Sequence, residues 1–305
     1  MSRKSSPGVG GDSGPAGPGA LMICAMEQDR LLPEGRAPDA VWRPAATSLE
    51  EYLEDAGKLD YVRALAADPP HPPNPNLPGF ANDGGIRNRG VCWWHSRFTR
   101  SAIYLAWFDP GGRRPDERSA KRIVDSLLNA GRVVSIPGYP NLRDFTLDNR
   151  RLVQERLDAA QLREGIFLFQ WVNGLAGRSR IPPPRLKAMM DRIHSEVSTE
   201  GLSYVKLQVP GIDAHSWIVT EMVPFEGGGY RCRFLDSNCQ GSKTWDYRPG
   251  AERISIPGMG DFGVPYIQRS WELRRMKLLI ARFVESRRFP GASDEALHTA
   301  GIRRA

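Results

Sequence analysis

Little in this chain suits cross-linking, or a membrane. Four cysteines in 305 residues, Cys24, Cys92, Cys232 and Cys239, are too few for a disulfide framework, and a reducing compartment is the simpler expectation. No apolar run approaches the roughly 20 residues that cross a bilayer, so no transmembrane segment is expected. The opening MSRKSSPGVGGDSGPAGPG has a basic tip but no long apolar core, and the apolar Ala20–Met26 is too short to supply one; no secretory signal is read there. Met1 is followed by Ser2 rather than glycine, so myristoylation is not indicated. The expectation is a soluble chain, cytoplasmic or exported by a route without a cleaved signal peptide. Zinc-finger and helix-turn-helix patterns are missing, as is any basic run with interleaved aromatics. The net charge of +7 is carried by arginine more than lysine. A basic, Arg-rich proteome accounts for it without a specific nucleic-acid partner. No internal repeat is visible.

What is present begins with a tail. Residues 1 to 40 are rich in Gly, Pro and Ser, bury too little apolar surface to offset ordering entropy, and are expected to be disordered. Such a tail suits an exported bacterial effector but does not require one. From 41 to 79 a helix is expected over Ser48–Ala66, opened by a Ser48/Glu51 capping box. An irregular connector with six prolines, Asp68–Gly79, follows. The segment 80 to 288 reads as one folded domain, and 289 to 305 as a polar tail. Within the domain, helices are expected over 92–107, 116–130, 146–162 and 184–199. A buried strand is expected over Ile166–Val172. Strands SYVKLQV, HSWIVTEMV and YRCRFLD follow, the last two joined by a turn at Glu226–Gly229, then a helix over 268–286. Helices first and an antiparallel sheet afterwards is the α+β pattern.

One cysteine has a distinctive setting. In RNRGVCWWHSRFTRSAIYLAW, Cys92 follows a short glycine-rich approach and heads a segment whose apolar residues recur at helical spacing. A thiol at a helix N-terminus meets unpaired N–H groups and the positive end of the dipole, which favour the nucleophilic thiolate. Thiol chemistry then needs an imidazole and a group to orient it. Of five histidines, His71 sits among prolines, His298 in the tail, and His194 in mid-helix beside Asp191, where a solvated or capping role is expected. His95 is one turn from Cys92 with nothing evident to hold its ring, and is read as pocket-lining or structural. His215 opens the strand HSWIVTEM. Pairing that strand with the next brings the Asp236–Asn238 end of FLDSN to the same rim. Asp236 can there accept from the imidazole and fix its tautomer. Asn238 is the alternative orienter, and DSN is also good turn chemistry.

The order Cys, helices, His on a strand, then Asp at the next strand's end resembles the papain-like cysteine protease superfamily. The aspartate version looks closest to YopT-type bacterial effector proteases. Cys92 and His215 are 123 residues apart, near the roughly 130 of papain-type enzymes. The resemblance rests on GVCWW, HSWIVTE and FLDSN, and covers residues 80 to 260. It implies a papain-like fold with a helical half carrying the nucleophile and a sheet half. It also implies a cysteine peptidase using Cys92, His215 and Asp236 through an acyl-enzyme, with a protein or peptide substrate and no cofactor. Two departures stand out. No Gln precedes Cys92 as an oxyanion donor, only Asn88. The tryptophan common after the third member is not adjacent, Trp245 lying seven residues past Asn238. The same triad serves deamidation, transglutamination and acyl transfer. A non-catalytic interaction module and a zinc site of Cys92, His95, Cys232 and Cys239 are further alternatives.

Overall fold

The computed structural model describes residues 74–82, 91–167, 180–208, 214–238, 242–256 and 260–288. These residues form an α+β fold. In chain order come α1 (Cys92–Leu105), β1 (Ala106–Asp109), α2 (Glu117–Leu128), β2 (Val134–Pro137), α3 (Leu142–Asp148), α4 (Arg150–Phe167) and α5 (Pro183–Glu200). Then follow β3 (Ser203–Gln208), β4 (Ala214–Phe225), β5 (Gly229–Asp236), β6 (Ser242–Tyr247), β7 (Ile254–Ile256), β8 (Gly260–Ile267) and α6 (Ser270–Arg288).

Strands β3 to β8 make one antiparallel sheet in the order β6-β5-β4-β3-β8-β7. The hairpin β4–β5 closes Phe225 onto Gly229. Its turn needs two left-handed residues, which Gly227 (φ 88°) and Gly228 (φ 77°) provide. In β4, Val219 faces Phe234 and Glu221 faces Arg233, so Thr220 is an extra residue and the strand bulges there.

The sheet is covered on both faces. Tyr204, Ile218 and Leu235 join one buried cluster with α1, α2 and α4. Val205, Trp217, Val219 and Phe234 join a second with α5. Alternation along β4 therefore sends Ser216 and Ile218 toward α1, and Trp217 and Val219 toward the other side. Helix α1 is buried nearly all round, as befits a helix packed between a sheet and other helices. Its buried Arg100 donates to Gln268 (3.2 Å) and Glu272 (3.0 Å) on and just before α6, and lies 4.4 Å above the Tyr204 ring. Helix α2 joins the parallel pair β1–β2. It starts at Asp116, whose carboxylate accepts from Ser119 N (2.8 Å).

Several boundaries differ from expectation. The first helix ends at Leu105, because Ala106 turns extended (ψ 136°) and the chain pairs with β2. In place of one helix over 146–162 there are two, with Asn141 capping α3 through Asp144 N (2.9 Å). Ile166 and Phe167, expected to open a strand, end α4; residues 168–172 lie outside the described residues, as does the helix expected over 48–66. Among the described residues no helix is long and apolar enough to cross a membrane.

Candidate active site

Cys92 is the first residue of α1, with Val91 as N-cap and no acidic side chain in the first turn. Nothing of that kind offsets the positive helix end. Two serines clip this end to β4. The Ser216 hydroxyl donates to Cys92 O (2.7 Å), and the Ser96 hydroxyl donates to Ser216 O (3.4 Å). His215, next to Ser216, is thereby brought near the start of α1, close enough for the Cys92 thiol to act on its ring.

On β5, Asp236 lies opposite Trp217, so His215 and Asp236 are diagonal neighbours on one face. His215 Nε2 lies 2.9 Å from Asp236 Oδ1. A carboxylate accepts, so the proton belongs on Nε2 and Nδ1 is left for the thiol. The same Oδ1 accepts from Asn238 N (2.8 Å), an Asx-turn bond. Asp236 therefore meets both expectations, contact with the imidazole and turn chemistry. Burial works against charging the ring. The Asp236 charge, the Asp236 hydrogen bond and the Cys92 thiol outweigh it and raise His215 to about 10. Burial likewise opposes the Asp236 carboxylate; the charge and bond of His215, Asn238 N–H and Lys243 overcome it and lower its pKa. The pair is thus an imidazolium and a carboxylate at neutral pH.

Other expectations are corrected. Asn238 is not the orienter; its side-chain oxygen accepts from Asn82 Nδ2 (2.8 Å). Trp245 sits opposite Cys232, away from the pair. The rings beside His215 are Trp217, edge-on at 6.5 Å, and Phe262 at 6.3 Å. His194 is half-buried and stacks on Tyr230 at 5.0 Å. His95 lines a cavity and its Nε2 contacts Phe80 O at 3.2 Å. Among the described residues the zinc set does not assemble. Cys232 is buried on the α5 side of the sheet, where burial and then the Asp246 charge push its thiol up to about 12. Cys239, His71, His298 and Asn88 lie outside the described residues.

Three contributors carried no sequence signal. Asn82 donates its N–H to Ser237 O (2.6 Å) and its side-chain amide to Asn238, and accepts from Val91 N (2.5 Å). It ties the start of α1 to the end of β5. Ser216 and Lys206 are the others. Lys206, paired opposite Ser216, is buried with its Nζ 4.9 Å from the Trp93 ring centroid. Burial lowers its pKa, against the opposing charges of Cys92 and Glu164. A serine in a strand or an asparagine in a loop is too common a residue to mark such bonds across 120 or more positions. Comparison with family models, curated proteins and solved structures gives no match.

Proposed function

We propose that the protein is a cysteine-type peptidase of papain-like arrangement acting through an acyl-enzyme. One observation supports the reading most. A buried carboxylate on β5 holds the ring of an imidazole on β4 at 2.9 Å, and the thiol that opens α1 acts on that same ring. In this scheme the Cys92 thiolate attacks the carbonyl carbon of a peptide bond. The tetrahedral oxyanion forms beside the N–H groups that open α1. The His215 imidazolium gives its proton to the departing amine, leaving a thioester on Cys92. Neutral His215 then takes a proton from water as the water attacks the thioester, the carbon–sulfur bond breaks, and the acid product leaves with the Cys92 thiolate and the His215 imidazolium restored. Asp236 stays a carboxylate and holds the ring. Deamidation and acyl transfer use the same groups and differ in the amide attacked or in what resolves the thioester.

The test is alkylation of the native protein by iodoacetamide near neutral pH, with buried Cys232 as internal control. Cys92 is expected to label far faster than an ordinary thiol, and His215→Ala to slow it by roughly 100-fold. An inert Cys92, indifferent to His215→Ala, would mean a non-catalytic module. Peptide turnover, lost in Cys92→Ser, is expected to fall as pH rises through about 10, where His215 loses its proton.

A further inference from the structure

A small cavity lies behind the carboxylate of Asp236. Its volume is about 20 Å³, and His95, Asp236 and Ser237 line it together with Phe80, Ile218 and Leu235. Among the described residues, His95 Nδ1, Asp236 Oδ2 and Ser237 Oγ are buried without a hydrogen-bond partner. A dry apolar void does not gather such atoms, because each unmet buried polar group is costly.

Hydrogen-bond polarity narrows what fits. A carbonyl oxygen only accepts, so the contact of Phe80 O with His95 Nε2 puts the ring proton on Nε2 and leaves Nδ1 an acceptor. Burial pushes His95 down to about 4, against the Phe80 bond and the Asp236 charge, so the ring is neutral. Asp236 Oδ2 is a second acceptor, and the Ser237 hydroxyl can donate. The set asks for a small molecule that donates twice and accepts once. Water does so, and one water needs roughly 10–15 Å³ of such space.

We propose that this cavity is a water site, where one water donates to His95 Nδ1 and Asp236 Oδ2 and accepts from Ser237 Oγ, so that His95 is a positioning residue for Asp236. Asp236 is then held on both oxygens, by His215 and Asn238 N–H at Oδ1 and by the water at Oδ2. A carboxylate fixed at both ends keeps the imidazole in one orientation. That consequence for catalysis rests on the triad reading; the water site itself does not. Loss of the water is felt most by the state in which Asp236 is charged and His215 neutral, since no imidazolium then compensates the carboxylate. The titration midpoint of the pair therefore rises. The other titratable groups acting on the pair are Cys92 and His95 from α1 and Lys243 from β6.

A crystal structure of the full chain that shows ordered solvent, with ring nitrogen NMR of the same protein, tests the proposal. The expected result is one ordered water within about 2.6–3.2 Å of all three atoms, and His95 as the Nε2–H tautomer. In His95→Phe with Ser237→Ala the water is lost and the His215 midpoint moves up by about one unit. Ser237→Ala alone, the milder change, moves it the same way by less. A dry cavity, an Nδ1–H tautomer at His95, or an unmoved His215 midpoint in a folded variant overturns the proposal. A water present beside an inert Cys92 would sink the triad and leave the water site standing; a reactive Cys92 with a dry cavity would do the reverse.

Discussion

His95 and His215 flank the same carboxylate, and their surroundings drive them in opposite directions. At His95 burial dominates and the folded value falls from 6.5 to about 4. A depressed histidine contributes stability that is present above pH 6.5 and is lost as pH falls through 4. The shift corresponds to on the order of 3 kcal/mol. Urea midpoints measured from pH 7 to pH 4 should therefore fall further for wild type than for His95→Phe; parallel curves would refute a buried neutral ring. At His215 the sign reverses. Its raised value makes its contribution full below pH 6.5 and lost as pH climbs through about 10. Lys206 adds a second cation acting on Cys92. Such a cation draws anionic reagents, so iodoacetate should gain on iodoacetamide in wild type. Lys206→Met should lower that ratio about threefold. An unchanged ratio would mean that Lys206 does not act on the thiol.

At the scale of elements, helix α2 ends on a strained residue. Ala130 N donates to Leu127 O and Gly131 N to Ser126 O, a Schellman ending that places Ala130 in the left-handed region at φ 45°. Glycine relieves that strain, and Ala130→Gly is expected to raise stability by about 0.5 kcal/mol, read as a higher thermal midpoint. The elements differ in how legible they were. Helix α5 and strands β3, β4 and β5 lie within a few residues of their expected bounds, because long periodic runs and a Gly-rich turn mark them locally. Strands β1 and β2 were not, since four residues each give too few positions for alternation to show. Ala106 and Trp107 continue the spacing of α1, and only pairing with a strand more than 20 residues on draws them out of the helix. The run starting at Ile166 misled for another reason. An apolar stretch reads as strand or helix alike, and here the last turn of α4 claims its start. In the site, Cys92, His215 and Asp236 were legible because thiol chemistry restricts residue type. Asn82, Ser96 and Ser216 were not, since their work is hydrogen bonds to groups that only the fold brings within reach.

For the molecule as a whole, the site lies where its halves meet. Asn82 joins the start of α1 to Ser237 and Asn238, and Arg100 joins α1 to α6. Asn82→Ala removes two side-chain bonds and is expected to cost about 1–3 kcal/mol, read as a lower urea midpoint. Cys92 alkylation should slow by about tenfold, because small displacements in the reacting geometry weigh heavily. Labelling at the wild-type rate would show that Asn82 does not hold Cys92 to His215. Many arginines are paired with carboxylates, as in Arg231 with Asp246 at 2.9 and 3.0 Å, Arg156 with Asp125 and Arg253 with Asp261. Exposed pairs of this kind contribute little stability each.

The serine clip between Cys92 and β4 also bears on time. It closes a loop of more than 120 residues, and long loops carry an entropy cost that is met before their contacts stabilise anything. Until that loop shuts, Cys92 has no His215 beside it, and the proposed activation of its thiol cannot operate. During refolding, its alkylation rate becomes a clock that starts only when the head of α1 and β4 have met.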